Sequence, residues 1–423
     1  MDATSLLTNT AQLRALSNQM DQHPEILLLV ADDLIDASVA KVGRTGLTVE
    51  NVFRCMLLKQ VLRVSYEQLA FHLSDSMTYR TFSRLSVTTM PSRSGLQSTI
   101  RGIRPETLEK VHEILSVSWL NAGILSMEKL RIDSTVVASN IAPPSDSQLL
   151  NDGVRVLSRL LMKSNNVTGV KIRFTDQRKP SKSLAFQIFN AKKSRKEALY
   201  PKLLQIVRIV LKQVDRGLES VEVGACDSDK KKQWVSQVEH YRDLALRVIN
   251  QTERRVIQGK SVHSSEKIVS LFEPHTDIIV KGFRDVQYGH KINLSSERSG
   301  FITYLSIEKG NPADSSLFMP VLDFHRSKLH RLPHSVVADG GYASQENVKE
   351  GRGLGVKRVV FHKRVGLSLH AMGVKSKTFT RLRNFRAGVE GNISELKRAF
   401  GATKANWKGL DGLQAYVWSS VLS

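Results

Sequence analysis

Three acids in this chain stand where carboxylates could share one task. Asp133 lies in Leu130-Arg131-Ile132-Asp133-Ser134-Thr135-Val136-Val137, a run dense in β-branched residues that predicts a strand. Asp339 ends the apolar run Ser335-Val336-Val337-Ala338-Asp339 and opens on Gly340-Gly341-Tyr342. Open α/β sheets carry their reactive groups at such places, where an apolar strand gives way to a glycine turn. Glu390 belongs to Arg386-Ala387-Gly388-Val389-Glu390-Gly391-Asn392-Ile393-Ser394-Glu395-Leu396-Lys397. Around it Leu382, Phe385, Val389, Ile393, Leu396 and Phe400 recur at helical spacing, which predicts an amphipathic helix. At roughly 100° per residue, Arg386, Glu390 and Lys397 fall within about 40° of one another beside the edge of that stripe, and Glu395 falls on the far face. Each acid alone is more often a cap, a turn residue or half of an ion pair. Together, three oxygen ligands suit a hard cation such as Mg²⁺ or Mn²⁺ and the in-line displacement of a phosphoryl group.

The order Asp133, Asp339, Glu390 resembles the Asp-Asp-Glu triad of bacterial insertion-sequence transposases with an RNase H-like catalytic core. The spacing Arg386-x3-Glu390-x6-Lys397 matches the Arg, Glu and Lys of that superfamily's Tyr-Arg-Glu-Lys signature, and Arg383 stands where the signature has its Tyr. Glu273-Pro274-His275-Thr276-Asp277, Gly289-His290-Lys291-Ile292-Asn293-Leu294 and Gly310-Asn311-Pro312-Ala313-Asp314-Ser315 are similar to the transposases grouped as ISNCY. So is the N-terminal stretch from Gly46-Leu47-Thr48-Val49-Glu50 to Tyr79-Arg80-Thr81-Phe82. The resemblance implies two divalent ions, Mg²⁺ or Mn²⁺, with Asp133 bridging both and Asp339 and Glu390 completing one each. It implies that Arg386, Lys397 and the adjacent Arg398 hold DNA phosphates. The implied partners are double-stranded DNA, as terminal inverted repeats and as target, and further copies of the chain assembled on paired ends.

Composition is in keeping with a polyanionic partner. Lys and Arg number 62 against 40 Asp and Glu, a net charge of +22, and the pI is near 10.0. The longest apolar run, Ile26-Leu27-Leu28-Leu29-Val30-Ala31, is far too short to span a bilayer. The start Met1-Asp2-Ala3-Thr4-Ser5 lacks the basic segment of a signal peptide. Two cysteines, Cys55 and Cys226, show no metal-ligand spacing and suit a reduced compartment. The expected location is a bacterial cytoplasm, at the nucleoid, with no membrane role.

The surrounding elements predict an α/β fold: an RNase H-like mixed sheet flanked by helices, preceded by a helical N-terminal domain and interrupted by a helical insertion after the first core strand. The expected boundaries are 1–125 for an N-terminal DNA-binding domain, 126–144 for the first core strand, 145–270 for the insertion and 271–423 for the rest of the core. Gln68 to Leu85 has the length of a helix-turn-helix, although helix pairs of that size are more often plain packing units. In the insertion, Leu149 to Met162, Lys202 to Val214 and the stretch from Trp234 to Val248 have helical patterning. Between the first two lie Lys171, Arg173, Arg178, Lys179, Lys182 and then Lys192-Lys193-Ser194-Arg195-Lys196, with Phe174, Phe186 and Phe189 interleaved. Lys192, Lys193, Arg195 and Lys196 are therefore candidate DNA-backbone contacts. Gly289 to Ser295 and Phe301 to Ile307 predict an antiparallel hairpin. Asp314 is expected to cap the helix through Leu317, Val321 and Leu322. Two other functions use the same features: an RNase H-like nuclease specific for DNA structure, without strand transfer, and a DNA-binding transposase remnant without catalysis.

Overall fold

The computed structural model describes residues 3–35, 46–224, 228–281, 285–362 and 367–423. Cys226 lies outside them. Contacts divide the chain into two units, residues 1–140 with 279–423, and residues 141–278.

The first unit opens with α1 (Ala3–Gln22), α2 (Glu25–Leu34), α3 (Val49–Leu62), α4 (Tyr66–Asp75), α5 (Met77–Phe82), α6 (Arg93–Ile100) and α7 (Pro105–Asn121). α3, α4, α5 and α6 start at Thr or Ser caps. Thr48 and Ser65 each accept the N3 backbone N–H, and Asn51 and Gln68 reach back to the cap N–H, so both sites close as capping boxes. β1 (Lys129–Ala138) follows. The second unit then intervenes in the chain with α8 (Asp146–Thr168), α9 (Arg178–Asn190), α10 (Lys193–Gly224) and α11 (Asp229–Thr252). Its helices close on Leu149, Leu157, Leu161, Leu203, Val207, Val210, Trp234, Val238 and Val248. The Trp234 indole N–H donates to the Leu160 carbonyl at 2.9 Å, so the ring enters this core with its polar atom satisfied.

The chain completes its sheet with β2 (Asp277–Lys281), β3 (Asp285–Ser296) and β4 (Ile302–Ile307), then α12 (Phe318–Ser327), β5 (Ser335–Ala338), α13 (Gln345–Gly353), β6 (Arg358–Phe361), α14 (Ser376–Arg398) and α15 (Leu410–Leu422). The described strands form a six-stranded sheet in the order β2-β3-β1-β5-β6, with β4 also on β3. β1 is antiparallel to β3 and parallel to β5, and β5 is parallel to β6. Three parallel strands joined to an antiparallel hairpin, with helices over the sheet, make this the mixed α/β arrangement of an RNase H-like core. Leu130, Ile132, Val336, Val337, Val359 and Val360 pack with α12 and α13. A second apolar cluster joins Val52, Phe53, Leu108, Val111, Val137, Leu305, Val389 and Trp418, so the N-terminal helices share a core with the sheet, α14 and α15.

Two local expectations are revised, while the Gln68 to Leu85 pair takes the commoner of its two readings, a packing unit: α4 and α5 join through Ser76, and Tyr79, Arg80 and Phe82 of the short second helix are buried. Arg80 donates to the carbonyls of Leu73 and Thr89, which makes it an internal tie. The basic stretch after α8 contains α9, whose lysines masked its shallow apolar face of Ser181, Ala185 and Ile188. Asp314 makes no capping bond; its carboxylate takes Lys291 at 2.6 Å and the Ser134 hydroxyl at 3.0 Å.

Candidate active site

Strand register places the first two acids. Ile132 of β1 pairs with Ala338 of β5, so the next rung sets Asp133 beside Asp339 where β5 ends. Ala338 pairs in turn with Phe361 of β6, and the following residue, His362, donates its backbone N–H to the Ala338 carbonyl at 2.8 Å. Its ring Nδ1 lies 3.6 Å from an Asp339 oxygen. Asp133, Asp339 and His362 thus stand side by side at one edge of three parallel strands. His362 had no signal in the sequence, because it is only the residue after a short strand.

Glu390 arrives from above. Arg131 and Asp133 alternate onto the same face of β1, and α14 lies against that face. Arg131 is buried, and its guanidinium donates to Ser296 Oγ at 2.9 Å, to the Phe385 carbonyl at 3.4 Å and to Asn392 Oδ1 at 2.5 Å. Burial holds its pKa below the usual arginine value. Gly388 allows this seating: a Cβ there would fall 1.9 Å from one Arg131 nitrogen and 2.9 Å from its central carbon. Arg131, Asn392 and Gly388 therefore set the height and rotation of α14 over β1.

The guanidinium of Arg386 is the meeting point. Its Nη2 lies 3.0 Å from Asp133 and 3.5 Å from Asp339, and its Nη1 lies 3.5 Å from Glu390. Arg386 is 8% exposed, in line with the buried Leu382 and Val389, so it occupies the apolar stripe itself and not the stripe's edge. A cation buried there is tolerated because three carboxylates surround it. The Glu390 side chain remains 72% exposed and reaches back one helical turn to the same group. Glu395, on the far face, is exposed. Lys397 lies two turns on from Glu390, about 10 Å along the axis, and is partly buried; Arg398 is exposed. Lys192, Lys193, Arg195 and Lys196 lie in the second unit at the start of α10, apart in sequence from all three acids, with Lys192, Lys193 and Arg195 exposed.

The loop bearing Asp339 is braced from β3. Asn293 donates to the Leu317 carbonyl at 2.9 Å and accepts the Tyr342 hydroxyl at 2.8 Å. Gly341 passes so close to Asp314 that a Cβ would meet its carboxylate at 2.7 Å. Burial first, then the charges of Asp314, Asp133 and Asp339, push the Tyr342 phenol well above its ordinary pKa, so it stays neutral and donates.

Asp133, Asp339 and Glu390 supply the hard oxygen donors that Mg²⁺ or Mn²⁺ prefer, so the donor set fits such an ion. As arranged, they are spread around the guanidinium, and no group of three or more His, Cys, Asp or Glu side chains among the described residues is placed to hold a metal. Arg386 supplies the positive charge at their centre.

A family model described as "Transposase DDE domain" matches residues 287–423, and one described as "Transposase domain (DUF772)" matches residues 3–102. Comparisons with curated proteins and with solved structures found no match. The first match contains Asp339 and Glu390 but stops short of Asp133, which joins them through the pairing of β1 with β5. With both transposase domains in one chain and an RNase H-like sheet between and beneath its acids, the protein belongs to the DDE-domain transposases, the kind found in bacterial insertion sequences.

Proposed function

We propose that this chain cuts DNA at the ends of its own insertion sequence and joins the freed 3′-hydroxyl to target DNA, with Asp133, Asp339 and Glu390 as the catalytic acids. The observation that carries the reading is the meeting of these three carboxylates, from two strands and one helix, around Arg386. Asp133 lies on β1 and Asp339 directly follows its partner strand β5, so the paired backbones set their separation before any ligand arrives. Divalent ions held by the three carboxylates would supply activation of the attacking oxygen and stabilisation of the leaving one. Arg386, once drawn off the acids, has a planar fork suited to a phosphate, and Lys397 extends the same helix face. The +22 net charge favours DNA over an uncharged substrate.

The test is cleavage of a labelled duplex carrying the element's end, with Mg²⁺ or Mn²⁺, by the parent chain and by Glu390→Gln, Glu395→Gln and Asp133→Ala. Cutting at the end is expected from the parent and from Glu395→Gln. Glu390→Gln and Asp133→Ala should lose it by at least about a hundredfold, the scale on which electrostatic groups act in such sites, while duplex binding persists. Cutting that ignores the end sequence would favour the structure-specific nuclease, and full activity in Glu390→Gln would remove that residue from the site.

A further inference from the structure

The second unit carries a feature that the acids do not use. α9 is anchored through Ser181, Ala185 and Ile188, with Ser181 Oγ 3.0 Å from Asn151 Oδ1 of α8. Its outward ridge runs Lys179, Lys182, Phe186, Phe189 at steps of three and four residues, so two cations and two rings share one face. Phe186 is 69% exposed and Phe189 74%. Beside this ridge, α8 and α9 enclose a groove of about 520 Å³ lined by Arg155, Arg159, Arg178, Lys179, Lys182 and Phe186. The groove's acid, Asp176, is held by Arg178 at 2.6 Å, an embrace that pulls its pKa to about 2. Arg155 is matched by Asp152 at 2.8 Å. A surplus of positive charge is left along the wall, with aromatic rings at its end.

Cations alone suffice to track the phosphates of a closed duplex. Exposed rings next to such cations gain nothing from stacked, paired bases, but they stack with bases that are unpaired. We propose that the α8–α9 groove binds a single-stranded stretch of DNA, with phosphates on Arg159, Lys179 and Lys182 and bases stacked on Phe186 and Phe189. The inference rests on the reading of the chain as a DNA-processing protein and names the form of DNA that this surface takes. Both rings sit on a helix whose other face is locked into the second unit, so the platform exists before DNA arrives.

The experiment is fluorescence anisotropy of the full chain in chelator, with a short labelled single strand and, separately, its duplex. Phe186→Ala/Phe189→Ala is expected to weaken single-strand binding about tenfold or more, to leave duplex binding unchanged, and to be rescued by Phe186→Trp/Phe189→Trp. Lys179→Ala/Lys182→Ala should weaken single-strand binding and flatten its salt dependence. Unchanged single-strand affinity in the Phe double variant overturns the proposal, as does equal loss on both DNAs or failure of the Trp rescue. No metal or cleavage enters this assay. A chain that binds single strands through its rings yet never cuts element ends would sink the transposase reading alone, and the reverse pattern would sink the groove alone.

Discussion

Arg386 is the residue on which the site turns. A buried guanidinium facing three carboxylates costs less to hold than three unneutralised acids at one sheet edge, so cation and acids stabilise one another. Arg386→Ala should therefore lower stability by about 3 kcal/mol, the order expected when one partner of a mostly buried ionic cluster is removed. Thermal unfolding in chelator measures the loss. In the same variant Mn²⁺ should raise the melting temperature more than it does in the parent chain, because no side chain then competes for the carboxylates. Equal shifts in the two proteins would mean that Arg386 does not stand in an ion's place. Asp314 was expected at a helix start, from its position before an apolar run. It instead serves Lys291 and Ser134, because a strand residue far away in sequence offers a full charge where a cap offers only a backbone N–H.

At the scale of elements, α14 and β1 depend on one missing side chain. Gly388 lowers the intrinsic helicity of α14 by about 1 kcal/mol relative to Ala, yet it lets the helix settle over Arg131. Gly388→Ala, favourable for an isolated helix, should therefore destabilise the protein, by about 1–3 kcal/mol as for other overpacked sites. It should also reduce DNA cleavage more than DNA binding, since the displaced helix carries Glu390. Denaturant titration beside the cleavage assay checks both; a more stable variant would show that Arg131 yields freely. The helical period of α14 was legible in the sequence because one of its faces is buried at a regular repeat, and the β-branched runs of β1 and β5 because strands buried on both faces are continuous apolar stretches. α9 was not, because its lysines leave only a narrow apolar stripe. The register that sets Asp133 beside Asp339 was not legible either, since about two hundred residues separate strands that only folding brings together.

In the first unit as a whole, the N-terminal helices and the sheet are bound through α3 and α15. Lys59 of α3 is 3% exposed, its ammonium 4.8 Å from the Tyr66 ring and 5.7 Å from that of Trp407. The two rings offset part of the desolvation, and burial still pushes the Lys59 pKa down to about 8. The unfolded chain keeps that proton up to about 10.4. From about pH 8 to pH 10 the unfolded state therefore binds more protons, and this residue's contribution to stability rises with pH; below 8 both states are charged and the full burial cost remains. Melting curves of the parent and of Lys59→Met between pH 7 and pH 10 should converge or cross in the parent's favour as pH rises. Parallel curves would place the ammonium in water. Cys55 in the same helix is buried, and its thiol is pushed up to about 12, which leaves it unreactive.

The sequence by itself determined the chemistry available and the elements that carry it: three acids on two strands and a helix, a strongly basic chain, and a family resemblance that two transposase domains bear out. Those features are local, because residue type, charge and periodicity act within a few turns or a few residues of strand. The tertiary structure decided what Arg386 faces, how Arg131 and Gly388 seat α14, which rung His362 shares, and which rings α9 turns outward. Each of these depends on contacts between segments distant in the chain, where a side chain's role is set by what packs against it and by the charge it meets once water is excluded.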